Sequence, residues 1–119
     1  MKLGDDRSTK ATLHPTITQL YWAAGFLEGE GNFSSQLSRG SVNYSVSAKQ
    51  VNPDPLCLLV CLFGGTISYS TRENENTMVN SQPIFRYCVS GARARGIAMT
   101  LYSLMSSKRK AQIFGMLKR

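Results

Sequence analysis

Acid is scarce in this chain. Its 119 residues carry 7 Asp and Glu against 14 Lys and Arg, a formal net charge of +7. After Glu75 there is no acid at all, while Arg86, Arg93, Arg95, Lys108, Arg109, Lys110, Lys118 and Arg119 all lie in that span. The C-terminal half therefore has nothing with which to repel a polyanion, and the balance favours a polyanionic partner. Histidine is scarcer still, with His14 alone in the polar N-terminal stretch. Cys57, Cys61 and Cys88 are odd in number and show no CxxC or His-rich spacing, so a zinc site lacks ligands and a disulfide framework is not indicated. We expect reduced core thiols. Long apolar runs are missing too. No segment approaches the roughly 20 apolar residues of a membrane span, and the N-terminus lacks the apolar region of a secretory signal. These absences lead us to expect a soluble, intracellular protein, in the cytoplasm or in an organelle matrix (mitochondrion or chloroplast), with neither a membrane nor a small-molecule substrate as partner.

What the chain does have is a dense apolar stretch that ends abruptly in carboxylates, Leu20-Tyr-Trp-Ala-Ala-Gly-Phe-Leu-Glu-Gly-Glu-Gly-Asn-Phe33. Ala23, Ala24 and Gly25 are too small to fill a core but allow a second backbone to approach. Glu28 and Glu30 sit at the helix end, where the macrodipole disfavours anions, so another interaction must justify them. Gly29 and Gly31 are expected to supply the positive φ that ends a helix. Two acids at a seam between close-packed helices suit a divalent cation with oxygen ligands; the plainer reading is an ordinary helix with a Gly-rich C-cap.

Residues 1–15 are polar and without periodicity, a loosely ordered arm, and residues 16–119 are expected to form one domain. Thr16 or Thr18 caps a helix through Leu27. From Asn32 the period changes to two, giving a hairpin whose turn is Ser38-Arg-Gly-Ser41, with Phe33, Ser35, Leu37, Tyr44, Val46 and Ala48 inward. Asn52 caps, and Pro53 begins, a buried helix through Phe63, which Gly64-Gly65 stops. A second hairpin follows, Thr66–Thr71 and the strand from Pro83, with Ile67, Tyr69, Phe85, Tyr87 and Val89 inward. Ser90 caps a third helix, and Ser106-Ser107 starts a fourth with Ile113, Phe114 and Leu117 on its buried side. The order predicts an α+β domain, a four-stranded antiparallel sheet backed by helices on one face. The other face stays bare, a polar saddle. Its outward residues include Ser34, Gln36, Ser38, Ser45, Ser47, Lys49, Ser68, Ser70, Arg72 and Arg86, with Arg39 in the first turn. Short donor-acceptor groups suit base edges in a major groove, though a merely solvated sheet is the plainer account. A cationic first turn at Lys108, Arg109 and Lys110 opposes the helix dipole, which makes sense if it reaches phosphate.

The stretch Ala23-Ala24-Gly25-Phe26-Leu27-Glu28-Gly29-Glu30-Gly31 resembles the nine-residue LAGLIDADG motif of homing endonucleases, with Ala for the first leucine and Glu for both aspartates. The αββαββα order, the Gln50-Val-Asn-Pro step, Gly64-Gly65, Phe85-Arg-Tyr87 and the basic Ser106-Ser-Lys-Arg-Lys-Ala-Gln112 segment extend the resemblance to residues 20–117. It implies a homodimer, since one motif per chain must meet a second, with Ala23, Ala24, Gly25 and Glu28 at the interface. It also implies a long, roughly palindromic double-stranded DNA target cut by phosphodiester hydrolysis. Mg2+, replaceable by Mn2+ or Ca2+ for binding, would be held by Glu30 and the Gly29 carbonyl. Gln50 would order the attacking water, and Lys108 or Lys110 would offset phosphate charge. Such enzymes serve the mobility of introns or inteins. Two rivals stay open: a maturase-like DNA- or intron-RNA-binding protein that has lost cleavage, and a scaffold protein that dimerises without nucleic acid.

Overall fold

Thr16 starts the first helix with a reciprocal cap. Its side-chain oxygen accepts the Gln19 N–H at 3.1 Å, and the Gln19 side chain accepts the Thr16 N–H at 2.9 Å, so two N–H groups without helical partners are satisfied. The helix, α1, covers Ile17–Glu30 and buries Ala23, Ala24 and Leu27. The computed structural model describes residues 10–11, 14–71 and 83–118. Most of the expected arm, and Arg72, lie outside them.

α1 passes into strand β1, Gly31–Ser38, with no residue between. The expectation of positive φ here is wrong: Gly29 is helical, and Gly31 is extended at φ −87°. Gly31 is needed for space instead. A Cβ there would lie 2.8 Å from the Leu27 carbonyl oxygen and 2.9 Å from Leu27 Cδ2.

β1 turns through Arg39 and Gly40, at φ 52° and 80°, into β2, Ser41–Gln50. Both central residues are left-handed, as a tight hairpin requires. The helix α2, Asp54–Phe63, starts one residue later than expected, with Pro53 and not Asn52 at the N-cap; Asn52 Oδ1 still accepts the Asp54 N–H at 3.1 Å. Gly64 and Gly65, at φ 80° and 118°, reverse the chain into β3, Thr66–Thr71. β4, Pro83–Ser90, leads into α3, Gly91–Leu101, then a 3₁₀ turn at Tyr102–Leu104 and α4, Ser107–Leu117. Ser90 precedes α3 but its side chain makes no capping bond. Ser106 does, accepting the Arg109 N–H at 3.2 Å.

The strands are antiparallel in the order β1-β2-β4-β3. Phe33, Val46, Ala48, Tyr87 and Val89 on one face of this sheet pack with Leu27, Leu56, Leu59, Ala98, Leu101 and Ile113 from all four helices. The expected α+β architecture is the observed one. Tyr87 pins the α2–β3 turn: its hydroxyl donates to the Gly64 carbonyl at 2.6 Å, and burial raises its pKa.

The apolar pattern overreaches at the margins. Leu37, Tyr69 and Phe114 are each 59% exposed. Leu37 runs beyond the reach of the helices, Tyr69 lies on an edge strand against the Phe85 ring at 5.2 Å, and Met116 takes the buried place beside Ile113. The cysteines are free, but Cys57 is exposed and Cys61 and Cys88 are half-buried, so they are not core thiols. Among the described residues no helix is long and apolar enough to cross a membrane.

Candidate functional site

Because α1 and β1 are continuous, the tip of the helix opens directly onto the uncovered face of the sheet. Glu30, Asn32, Ser47, Ala48, Lys49 and Arg86 line one cleft there, of about 320 Å³. The register explains the company: Asn32 opposes Ser47, Lys49 opposes Arg86, and Arg86 opposes Ser68 on its other side. Glu30 is exposed and forms no hydrogen bond or ion pair with a described residue. Its carboxylate is available to a ligand.

The same register carries the polar face outward from the cleft. Ser34 opposes Ser45, Gln36 opposes Asn43, and Ser38 opposes Ser41. Ser68 and Ser70 continue it on β3, where Lys49, Ser68, Ser70, Ile84 and Arg86 line a second cleft of about 340 Å³. Every strand residue expected on this face is there among the described residues. Asn32, Asn43, Cys88 and Ile84 join them, and strict alternation from Ser34 and Arg86 could have found all four.

Glu28 has a different task. Oε1 accepts the Ser106 backbone N–H at 3.0 Å and Oε2 the Ser106 hydroxyl at 2.7 Å. These bonds, with Arg109 and Lys108 nearby, lower its pKa. A carboxylate at an N-terminus also suits the α4 dipole, which is the interaction that the end of α1 alone could not supply. Arg109 completes the joint by donating from Nε to the Glu28 carbonyl at 3.0 Å and from Nη1 to Gln112 Oε1 at 2.7 Å.

Ala23 and Ala24 were expected at an interface between subunits but are 0% and 3% exposed within the chain's own core. One helical turn places neighbouring residues on different faces, and theirs is the inner one. The outer ladder is Ile17, Tyr21, Gly25 and Gly29, spaced by four; Ile17 and Tyr21 are each 58% exposed. Beside it Trp22 and Phe26 stack with centroids 5.4 Å apart. A Cβ added at Gly25 or Gly29 would meet nothing within 4 Å. Neither glycine is required by packing inside this chain.

No protein-family model matches the chain, and no curated protein does. A solved structure does match: an archaeal intron-encoded homing endonuclease complexed with DNA, at a TM-score of 0.58 and 16% identity, covering 82% of this chain and 64% of that one. The fold is homing-endonuclease-like. The chain spans just under two thirds of that enzyme's length, and at this identity the likeness is one of architecture.

Within this homing-endonuclease-like frame the remaining candidates separate. Gln50, the last residue of β2, lies on the helix-facing side of the sheet opposite Phe85 and is not among the residues lining the Glu30 cleft. Lys110 Nζ lies over the Tyr102 ring, 5.7 Å from its centroid. Lys108 is exposed in the first turn of α4. Arg109, not singled out within the basic run, is the residue of the three that touches the end of α1.

Proposed function

We propose that this chain is one subunit of a homodimeric, divalent-metal-dependent endonuclease that binds and cuts a long, pseudo-palindromic DNA duplex. The observation that carries it is the convergence of Glu30, an exposed carboxylate with no partner among the described residues, with the end of an uncovered polar sheet in a homing-endonuclease-like fold. A DNA-complexed structure of that fold supports duplex as the ligand.

The second copy supplies what one chain lacks. Among the described residues no three His, Cys, Asp or Glu cluster, so a single chain offers one carboxylate, Glu30. Two copies meeting along Tyr21, Gly25 and Gly29 would bring two Glu30 side chains and the Gly29 carbonyls together. That is a hard-oxygen donor set of the kind Mg2+ shares with phosphate. Mn2+ or Ca2+ would replace it for binding. When bound, the metal supplies a lowered water pKa and charge neutralisation at the phosphate.

The chain's own residues supply the rest. Ser34, Gln36, Asn43 and Ser45 face base edges, while the basic residues position the phosphodiester backbone. A water oxygen adds to phosphorus in line, one P–O ester bond breaks, and the departing oxygen takes up a proton. No side-chain nucleophile is used. Lys108 and Lys110 add positive potential at the start of α4, while Gln50, on the helix-facing side of β2 and outside the cleft, has no part in ordering that water.

Selection of cleavable sites from a randomised duplex library in Mg2+ tests the reading. Wild type should cut a pseudo-palindromic site, and Glu30→Gln should bind it with cutting reduced by at least about 100-fold. Binding without cutting by the wild type on every selected site would make the chain a maturase-like binder instead.

A further inference from the structure

Lys49 and Arg86 face each other directly across β2 and β4. Like charges in that position repel and destabilise a sheet, and neither side chain forms an ion pair or hydrogen bond with a described residue. Three acids occur among the described residues. Glu28 is engaged at Ser106, Asp54 begins α2, and Glu30 shares the cleft with the two cations. Ser47 lines the same cleft, is 8% exposed, and has no side-chain hydrogen bond to a described residue. A buried hydroxyl without a partner costs free energy, so this one is poised for a ligand atom.

We infer that Lys49 and Arg86, with the Ser47 hydroxyl, form a binding site for the reacting phosphodiester group, and that this direct contact is made from the sheet and not by Arg109 or Lys110. The inference rests on the endonuclease reading. Its ligand must be an anion with several acceptor oxygens, because two cationic donors and a hydroxyl converge and one carboxylate stands opposite. A phosphodiester flanked by Glu30 and a cation meets that description, and the guanidinium can engage two of its oxygens at once. At the start of α4, by contrast, Arg109 is bound to the Glu28 carbonyl and Gln112, and Lys110 lies over Tyr102. Those residues are already committed. The pair also forms the wall shared by the two clefts, which lets the same two side chains follow the backbone from the reacting phosphate towards β3.

The test compares Lys49→Gln, Arg86→Gln and Arg86→Lys with Lys118→Gln, which makes the same charge change on the far end of α4. Single-turnover cutting in Mg2+ and duplex affinity in Ca2+ are measured over a range of salt. Lys49→Gln and Arg86→Gln should each cut about 100-fold more slowly, Arg86→Lys should recover part of that loss, and Lys118→Gln should match wild type. Melting temperatures of the Gln variants should equal or exceed that of wild type, because a repulsion has been removed. Wild-type cutting rates in both Gln variants would overturn the inference. If the wild type itself does not cut, the endonuclease reading has failed and the salt dependence decides this site separately. A slope reduced by about 0.9 per variant upholds the phosphate site, and an unchanged slope overturns it.

Discussion

Glu28 and Glu30 are two residues apart and of one chemical type, yet the fold gives them unrelated work. Glu28 faces α4 and trades its carboxylate oxygens to Ser106, whereas Glu30 faces the open cleft. Its lowered pKa makes Glu28 a source of acid sensitivity. A carboxyl whose folded pKa is depressed contributes stability that is complete above its ordinary value of 4.5 and is lost as pH falls through the lower folded value. Glu28→Gln should therefore flatten the stability profile below pH 4.5 while the wild type loses stability there, as chemical denaturation at stepped pH would show. Gly65 is a second residue whose importance is local. Its φ of 118° and a would-be Cβ contact of 2.8 Å to Tyr87 Cε1 make Gly65→Ala destabilising by about 1–3 kcal/mol, measurable by urea unfolding. The stop at Gly64-Gly65 was legible in the sequence, and the resemblance sets Glu28 apart from the metal-binding Glu30, but the bond between residues 28 and 106 was not, because it depends on how two helix ends meet.

Among the elements, α1 was legible in kind and misread in orientation. Apolar and small residues crowd it so densely that neither face stands out. Ala23 and Ala24 could serve an inner or an outer surface, and only packing against the sheet decides between them. The hairpins were easier. Period-two alternation fixed the saddle face correctly for all four strands, and overreached only in expecting burial on the other face at Leu37 and Tyr69, which are exposed. The orientation of α1 yields a prediction with two independent readouts. Gly25→Leu meets no atom within the chain and replaces a poor helix former, so the monomer should gain about 0.5–1 kcal/mol. The same side chain would obstruct the meeting of two helices. Sedimentation should report a stable monomer that no longer cuts; a dimer of wild-type affinity would remove the proposed seam. At α4 the Ser106 cap makes a smaller claim: Ser106→Ala should cost about 1 kcal/mol and loosen the end of α1 along with it.

For the molecule as a whole, the asymmetry of charge and the bare sheet were readable from residue types and spacing, as was the α+β order. What was not readable is which cations stand near Glu30. A basic run at residues 108–110 draws the eye in a sequence, while Lys49 and Arg86, 37 positions apart, become neighbours only through β-pairing. Duplex binding by the intact chain should weaken steeply with salt, log affinity falling by about 0.9 per log unit of salt for each phosphate contacted. A salt-insensitive dimer would instead be a scaffold without nucleic acid. The junction at Gly31 bears on target choice. Since α1 runs into β1 with no intervening residue, the proposed assembly has no hinge between its two-fold axis and its reading surfaces. Each half-site must then arrive at a fixed separation and phase. One base pair inserted at the centre of symmetry adds about 3.4 Å and turns one half-site by about 35°. A rigid dimer cannot follow that change, so tolerance of such an insertion in a footprinting experiment would mean that the two halves are not geared together in this way.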